Sequence, residues 1–478
     1  MEEHLTNARI VQKENTYSIN ALTKAGLFLA IIINLATAGS IINIVLAVVQ
    51  AIAVIAFVLR DRFEAAVLWH FLFSITCMSA TIAMLGDEMT MYSYARLKLF
   101  GPIGLSYTIS VALNLFAIKK TISTVAKSSI LYRLYKLLVY FAVSGILIGI
   151  MGMAFFDYYV KYFINHVVYI SITLLNLRLL LLIYSQMNVE RVFKYSVFLL
   201  CISPIATWIV FSAMGIGTLY STERALFQTQ IDFYAPLLLI LVLFLRNKIL
   251  CIIAILFLAL NYISAAGGGE ILIAFLCVVI LCVLVLSNQK YRTKGVIAIG
   301  FLLAIGFVVF HNFEMSKLFL IKLGQFTSLF SVFTGGGIGE VSTSPYIRIA
   351  SVANILYEQL INPLKLLFGV GYGGTFQDSL NLMNMLDLTM GGWADEQVSD
   401  GRFPYGHGTI PCVALLNGSL GLFFLLRIVY QYIKRIKLNP LAFAAIPWLF
   451  LSFYFNTLQA MCGMFLLFGS DYIIKKQQ

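Results

Sequence analysis

The sequence predicts an all-α polytopic integral membrane protein of about 14 transmembrane helices, with one long outer, periplasmic loop that holds short helices of its own. Three observations predict it. Of 478 residues, 60% are hydrophobic and 11% charged, whereas an ordinary soluble domain carries about 25% charge. Mean hydropathy is +0.91. Apolar runs of about 20 residues recur, in place of the short alternating strands of a β-barrel. This excludes a soluble multidomain enzyme. A disordered chain is excluded as well, because aromatic side chains make up 14% of the sequence.

The candidate spans fall at roughly 21–37, 40–59, 64–86, 100–118, 134–156, 162–185, 195–217, 234–247, 248–264, 270–287, 295–312, 409–429, 441–457 and 459–474. The pairs 21–59 and 234–264 can each be read as one re-entrant unit. The organisation is therefore 1–312 for the first eleven spans, 313–408 for the outer loop and 409–478 for the remaining three. The positive-inside rule sets the orientation. With the first residues in the cytoplasm, 23 of the 33 basic residues lie on the inner side and 9 on the outer, with Arg178 inside a span. The inverted map reverses the bias. Both termini are expected in the cytoplasm.

A net charge of +12 and a pI near 9.2 follow from that loop bias, and no basic soluble domain exists to hold nucleic acid. The seven cysteines sit in or at the edges of apolar runs with no CxxC pair, so neither a disulfide framework nor a zinc site is expected. The polar first 20 residues carry both signs of charge and lead to no short apolar core with a cleavage site. A cleaved signal peptide is not expected.

The cytoplasmic loops are short, which leaves function to the segment 313–408. Within it, Ile349, Val352, Ala353 and Leu356 recur at helical spacing between Pro345 and Pro363. The spacing predicts a helix that starts at Pro345 and stops before Pro363. Gly369-Val-Gly-Tyr-Gly-Gly374 matches GxGxxG, but no βαβ unit surrounds it. Its expected use is a backbone turn that lets a ligand or a neighbouring helix come close. The five histidines show no i, i+4 pair and no HExxH, and no DxD triplet occurs, so metal chemistry has no motif to rest on.

Three outer-side residues carry useful chemistry. Arg348 stands near the start of the loop helix, and Arg224 lies just before a span. Two guanidinium forks at the membrane edge can hold a diphosphate; the alternative for each is a solvated residue or an ion pair, with Glu223 beside Arg224. His407, at the mouth of the next span, can accept a proton or serve as an interfacial hydrogen-bonding group. Glu270 follows three glycines at a helix start, where a carboxylate either caps the helix or meets substrate. Arg178 is either functional or snorkels to the cytoplasmic face. The loop aromatics Tyr346, Tyr372, Phe376, Trp393 and Tyr405 suit sugar contact or a packed lid equally.

The run from Ser344-Pro-Tyr-Ile-Arg348 through Asn362-Pro-Leu-Lys-Leu-Leu-Phe-Gly-Val-Gly-Tyr-Gly-Gly374 resembles the outer loop of the O-antigen polymerase and O-antigen ligase group. The stretch His407-Gly-Thr-Ile-Pro is similar to that group's histidine-led span, and Glu223-Arg224 through Pro236 to its upstream arginine segment. The chain departs from the pattern at Gly269-Glu270, where Ser-Arg is common, and at Gly408, where asparagine is. The resemblance implies a GT-C glycosyltransferase at the outer face of the bacterial inner membrane. Its donor is a glycan on undecaprenyl pyrophosphate, and the transfer inverts the anomer without a metal or cofactor. It implies His407 as base, Arg348 and Arg224 on the diphosphate, and Glu270, Tyr346 and Tyr372 as substrate contacts. A chain-length regulator is an expected partner beside the bilayer and the lipid-linked oligosaccharides. Fourteen spans favour a polymerase. A ligase onto lipid A–core is the alternative, as is a lipid-linked oligosaccharide transporter, which would show internal repeats.

Overall fold

In the computed structural model, the described residues are 29, 30, 32–34, 40–75, 92–122, 129–184, 193, isolated positions between 292 and 324, 343–383, 393, 395–406, 408–436, 441–453 and 457–477. Among them the fold is a helical bundle with two minimal ribbons. The helices are α1 (Ile41–Leu59), α2 (Phe63–Ile75), α3 (Leu105–Lys119), α4 (Ile130–Phe155), α5 (Val160–Leu182), α6 (Thr343–Leu360), α7 (Pro363–Phe368), α8 (Asp395–Ser399), α9 (Thr409–Ile436), α10 (Leu441–Leu451) and α11 (Thr457–Gln477). The ribbons pair β1 (Lys98–Phe100) with β2 (Ile103–Gly104) and β3 (Phe376–Gln377) with β4 (Arg402–Phe403), both antiparallel.

Among the described residues, four helices, α1, α4, α5 and α9, are long and apolar enough to cross a membrane. The spans proposed at 195–217, 234–247, 248–264 and 270–287 lie outside the described residues, as do most of 21–37 and 295–312. The span drawn from residue 100 begins instead at Leu105, because Gly101 takes a positive φ of 52° and folds 98–104 into the first ribbon.

Helix α4 shows why these sequences form membrane helices. Ser129 caps it by accepting from the Tyr132 amide at 3.1 Å. Ile130, Leu134, Leu138, Phe141, Gly145, Gly149 and Gly152 share one buried face at three- and four-residue spacing. Val143, Leu147, Ile150 and Met151 are exposed. A helix apolar on both faces belongs between protein and lipid rather than between protein and water.

Buried polar groups stitch the bundle from within. His70 on α2 lies 2.8 Å from the Tyr94 hydroxyl and 3.0 Å from Asn176 Oδ1 on α5. Ser110 on α3 donates to the same Asn176 oxygen at 2.9 Å. Arg178, on α5, donates to Asn114 Oδ1 on α3 at 2.7 Å. Its guanidinium is therefore engaged between two helices.

The helix ends meet in two groups. At one end Tyr184 donates to Asp471 on α11 at 2.7 Å, with Arg435 of α9 at 3.8 Å from the same carboxylate. At the other, the turn between α4 and α5 meets the segment 395–402. Lys161 pairs with Glu396, the Tyr159 hydroxyl donates to Asp400 at 3.4 Å, and Arg402 lies 5.3 Å over the Tyr159 ring.

Candidate functional site

The site grows out of α6. Ile347, Ala350, Ser351, Asn354 and Ile355 are buried on one face. Asn354 donates to Asp378 at 2.9 Å and accepts from the Leu380 amide, while Asp378 also holds the Leu382 and Met383 amides. The opposite face carries Arg348 and then Val352, Leu356 and Leu360, all exposed. The four side chains are spaced by four residues, so they form one stripe roughly 18 Å long at 1.5 Å per residue.

The helix begins at Thr343, two residues before the expected start. Proline is tolerated within a first turn, whose amides have no intrahelical acceptor. Arg348 therefore stands in the second turn rather than the first, which weakens its coupling to the helix dipole. Pro363 likewise does more than stop a helix. It is the first residue of α7, whose cap Asn362 accepts from the Leu364 and Lys365 amides at 3.1 and 3.2 Å.

After α7 the glycine-rich turn docks on two helices through its backbone. The Val370 and Gly371 amides donate to the Leu415 and Leu416 carbonyls of α9, and the Tyr372 amide to the Gly145 carbonyl of α4. The α9 carbonyls can accept because α9 is broken at Gly418, which has φ 63° and ψ −165°. Gln359 caps a third freed carbonyl, that of Ala414. Gly369, with φ 76°, meets this break directly. A Cβ on Gly369 would lie 2.5 Å from the Asn417 amide nitrogen, and a Cβ on Gly418 would lie 2.5 Å from the Gly369 nitrogen. The GxGxxG match is thus a turn that docks on neighbouring helices, one of the two uses its sequence context allows.

Tyr372 is 3% exposed and sits over Gly145, with its ring 5.8 Å from that of His166. A bare glycine on α4 leaves the room its ring fills, so the residue read from sequence as a substrate contact is packed inside the bundle. Tyr346 is half-buried and packs against the core. The other loop aromatics form a packed lid. Phe376 and Phe403 pair across the second ribbon at 5.3 Å, Trp393 packs 4.7 Å from Phe403, and its indole donates to the Tyr405 carbonyl.

His166 on α5 escaped the sequence reading. Its Nδ1 accepts from the Gly373 amide at 3.2 Å and its ring bonds the Pro404 carbonyl. One acceptor and one donor define a neutral imidazole that ties the glycine turn and the lid to α5. Beside it lies a cavity of about 40 Å³ walled by Phe141, Tyr169, Tyr372, Cys412, Asn417 and His166 itself. The sequence signal for this docking face, which the motif reading passed over, is the Gly145, Gly149 and Gly152 spacing in α4. His407, Arg224 and Glu270 lie outside the described residues; Arg348, Tyr346 and Tyr372 are described, and the first two lie two residues apart on α6, where side chains point to different faces.

This arrangement defines a helical, membrane-embedded protein in which a loop segment inserts into a broken helix. No protein-family model, curated protein or solved structure matches the chain.

Proposed function

We propose that this protein is a surface-polysaccharide polymerase of the O-antigen type, a fourteen-span enzyme of the bacterial inner membrane with both termini in the cytoplasm. One observation carries the reading: an exposed arginine, Arg348, heads an exposed apolar stripe of Val352, Leu356 and Leu360. A cation at the head of an apolar track matches the two halves of a polyprenyl diphosphate, an anion followed by a hydrocarbon chain.

In the reaction, an acceptor sugar hydroxyl attacks the anomeric carbon of the lipid-linked glycan. The bond from that carbon to the diphosphate breaks, His407 takes the hydroxyl proton, and the anomer inverts. The diphosphate leaves with its charge held by Arg348 and Arg224, in place of a metal. The acceptor is a single lipid-linked repeat unit, and a chain-length regulator is the expected protein partner. The test is the purified protein in vesicles with undecaprenyl-diphosphate-linked repeat units. A polymer ladder with release of undecaprenyl diphosphate, unchanged by a metal chelator, supports the reading. Transfer only onto lipid A–core would make it a ligase, and translocation without bond formation a transporter.

Arg348→Lys keeps the charge and loses the planar fork. Activity is expected to fall tenfold or more, about 1.4 kcal/mol per decade. Full-length polymer from cells making normal amounts of the variant would show that the arginine does not grip the leaving group. The orientation has its own check. Ser379 is exposed beside the Asp378 cap. A cysteine there should react with an impermeant thiol reagent from the outer face of intact inner membranes, and one at Ser123 should not. The reverse pattern would move the site to the cytoplasm.

A further inference from the structure

The segment 313–408 reads in sequence as an outer loop, yet its middle is bonded to the interiors of two membrane helices. Gly145 lies ten residues from the end of α4, and Leu415 and Leu416 six and seven from the start of α9. At 1.5 Å per residue these contacts sit roughly 10–15 Å below the helix ends, against a hydrocarbon core about 30 Å thick. The glycine turn is therefore at membrane depth, and α7 is the path down to it.

We propose that α7 and the corner joining it to α6 form a re-entrant membrane element whose exposed apolar side chains face lipid hydrocarbon. Leu360, Ile361, Leu364, Leu367 and Phe368 are all exposed, and α7 buries none of its residues. Such a surface is costly in water. Helix α7 packs on α9, whose own exposed apolar side chains include Phe423 and Leu426.

Two further observations accord with a lipid environment. The first is the backbone accounting at the start of α7. Pro363 has no amide hydrogen, the Leu364 and Lys365 amides are held by the Asn362 side chain, and the Leu366 amide donates to the Asn362 carbonyl. Every orphan donor of the helix start is closed off, as hydrocarbon demands. The second is charge. The one ionisable residue of α7, Lys365, lies 3.6 Å from Glu358, and that carboxylate also holds the Gln377 amide at 2.6 Å. A paired cation is the form in which a lysine is tolerated at this depth.

The experiment attaches an environment-sensitive fluorophore to Leu364→Cys or Leu367→Cys in the purified full chain, reconstituted in phospholipid vesicles. The exposed rim position Asp400→Cys is the reference, and labelling of the unsubstituted chain gives the background. Both test positions are exposed, so neither change removes buried packing, and unchanged melting in detergent confirms that the fold is retained. Nitroxides on the lipid acyl chains should quench the α7 labels at least threefold more than the Asp400 label. Aqueous iodide should quench them at least threefold less. Iodide quenching equal to that at Asp400 would overturn the proposal by placing α7 in water. Protection from both quenchers would overturn it too, because protein and not lipid would then cover the face. Neither readout depends on enzymatic activity.

Discussion

A Gly418→Ala protein is expected to lose the folded bundle or to melt far below the parent. The backbone at Gly418 has φ 63° and ψ −165°, a region that only glycine occupies at low cost; elsewhere the strain is about 1–3 kcal/mol. The added methyl would also lie 2.5 Å from the Gly369 nitrogen and from the Leu367 carbonyl. Those are backbone atoms, so no rotamer change relieves the overlap. The turn would have to lift away from α9 and leave the Leu415 and Leu416 carbonyls unpaired inside the bundle. The combined loss is expected at roughly 4 kcal/mol or more, the range reserved for a broken core feature. Gly401→Ala is the control. Its φ is also positive, at 62°, but its Cβ would meet nothing within 4 Å, so a loss of about 1 kcal/mol is expected from backbone strain alone. Thermal unfolding in detergent separates the two. Equal melting of both variants would mean that the turn does not dock on the helix break.

His407→Ala is expected to leave the protein abundant and folded while long polymer disappears and single-repeat product remains. Removing a positioned general base costs about 10²–10⁴-fold in rate. The residue stands between Gly406 and Gly408 at the mouth of α9, where the Gly406 carbonyl accepts from the Cys412 thiol and Gly408 takes φ 99°. The Gly406 carbonyl is held by Cys412, and the left-handed backbone at Gly408 does not depend on the side chain at 407, so matched protein levels and melting are the control for folding. Separation of surface polymer by length, in cells with matched protein levels, reads the outcome. Wild-type chain length would reduce His407 to an interfacial side chain and turn attention to Glu340 or Asp395 as proton acceptor.

The long helices were legible because their cause is local. The buried face of α4 repeats every three to four residues, and hydropathy alone finds it. The loop helix was legible for the same reason, with an error of two residues at Pro345, since proline marks a first turn without naming its position. The docking of the turn was partly legible. Lacking a strand before it and an amphipathic helix after it, Gly369–Gly374 had to serve close backbone approach. Its partner was not legible: the break at Gly418 lies nearly fifty residues away, and although Asn417-Gly418 is a turn dipeptide, it does not name the segment that docks there. The burial of Tyr372 was not legible because it depends on Gly145, more than two hundred residues upstream. His166 was passed over because its two partners, Gly373 and Pro404, are backbone groups that no motif encodes. The engagement of Arg178 by Asn114 also rests on a neighbour from another helix.

The clamp between Tyr184 and Asp471 has a consequence for how the chain is made. The two residues are 287 positions apart, and α11 packs on α2 and α5 as well as on α10, with Phe465 stacked on Phe71 at 5.6 Å. At about 5–20 residues per second, α5 enters the bilayer roughly 15–60 s before the helix that covers it. During that interval the His70–Asn176 seam has its own hydrogen bonds and can hold α2, α3 and α5 as a unit, but the face awaiting Phe465 stays open to lipid and to other nascent helices. Ribosome-bound chains stalled before residue 457 should therefore be digested by a membrane protease at the α2–α5 face, and chains released after residue 477 should resist it.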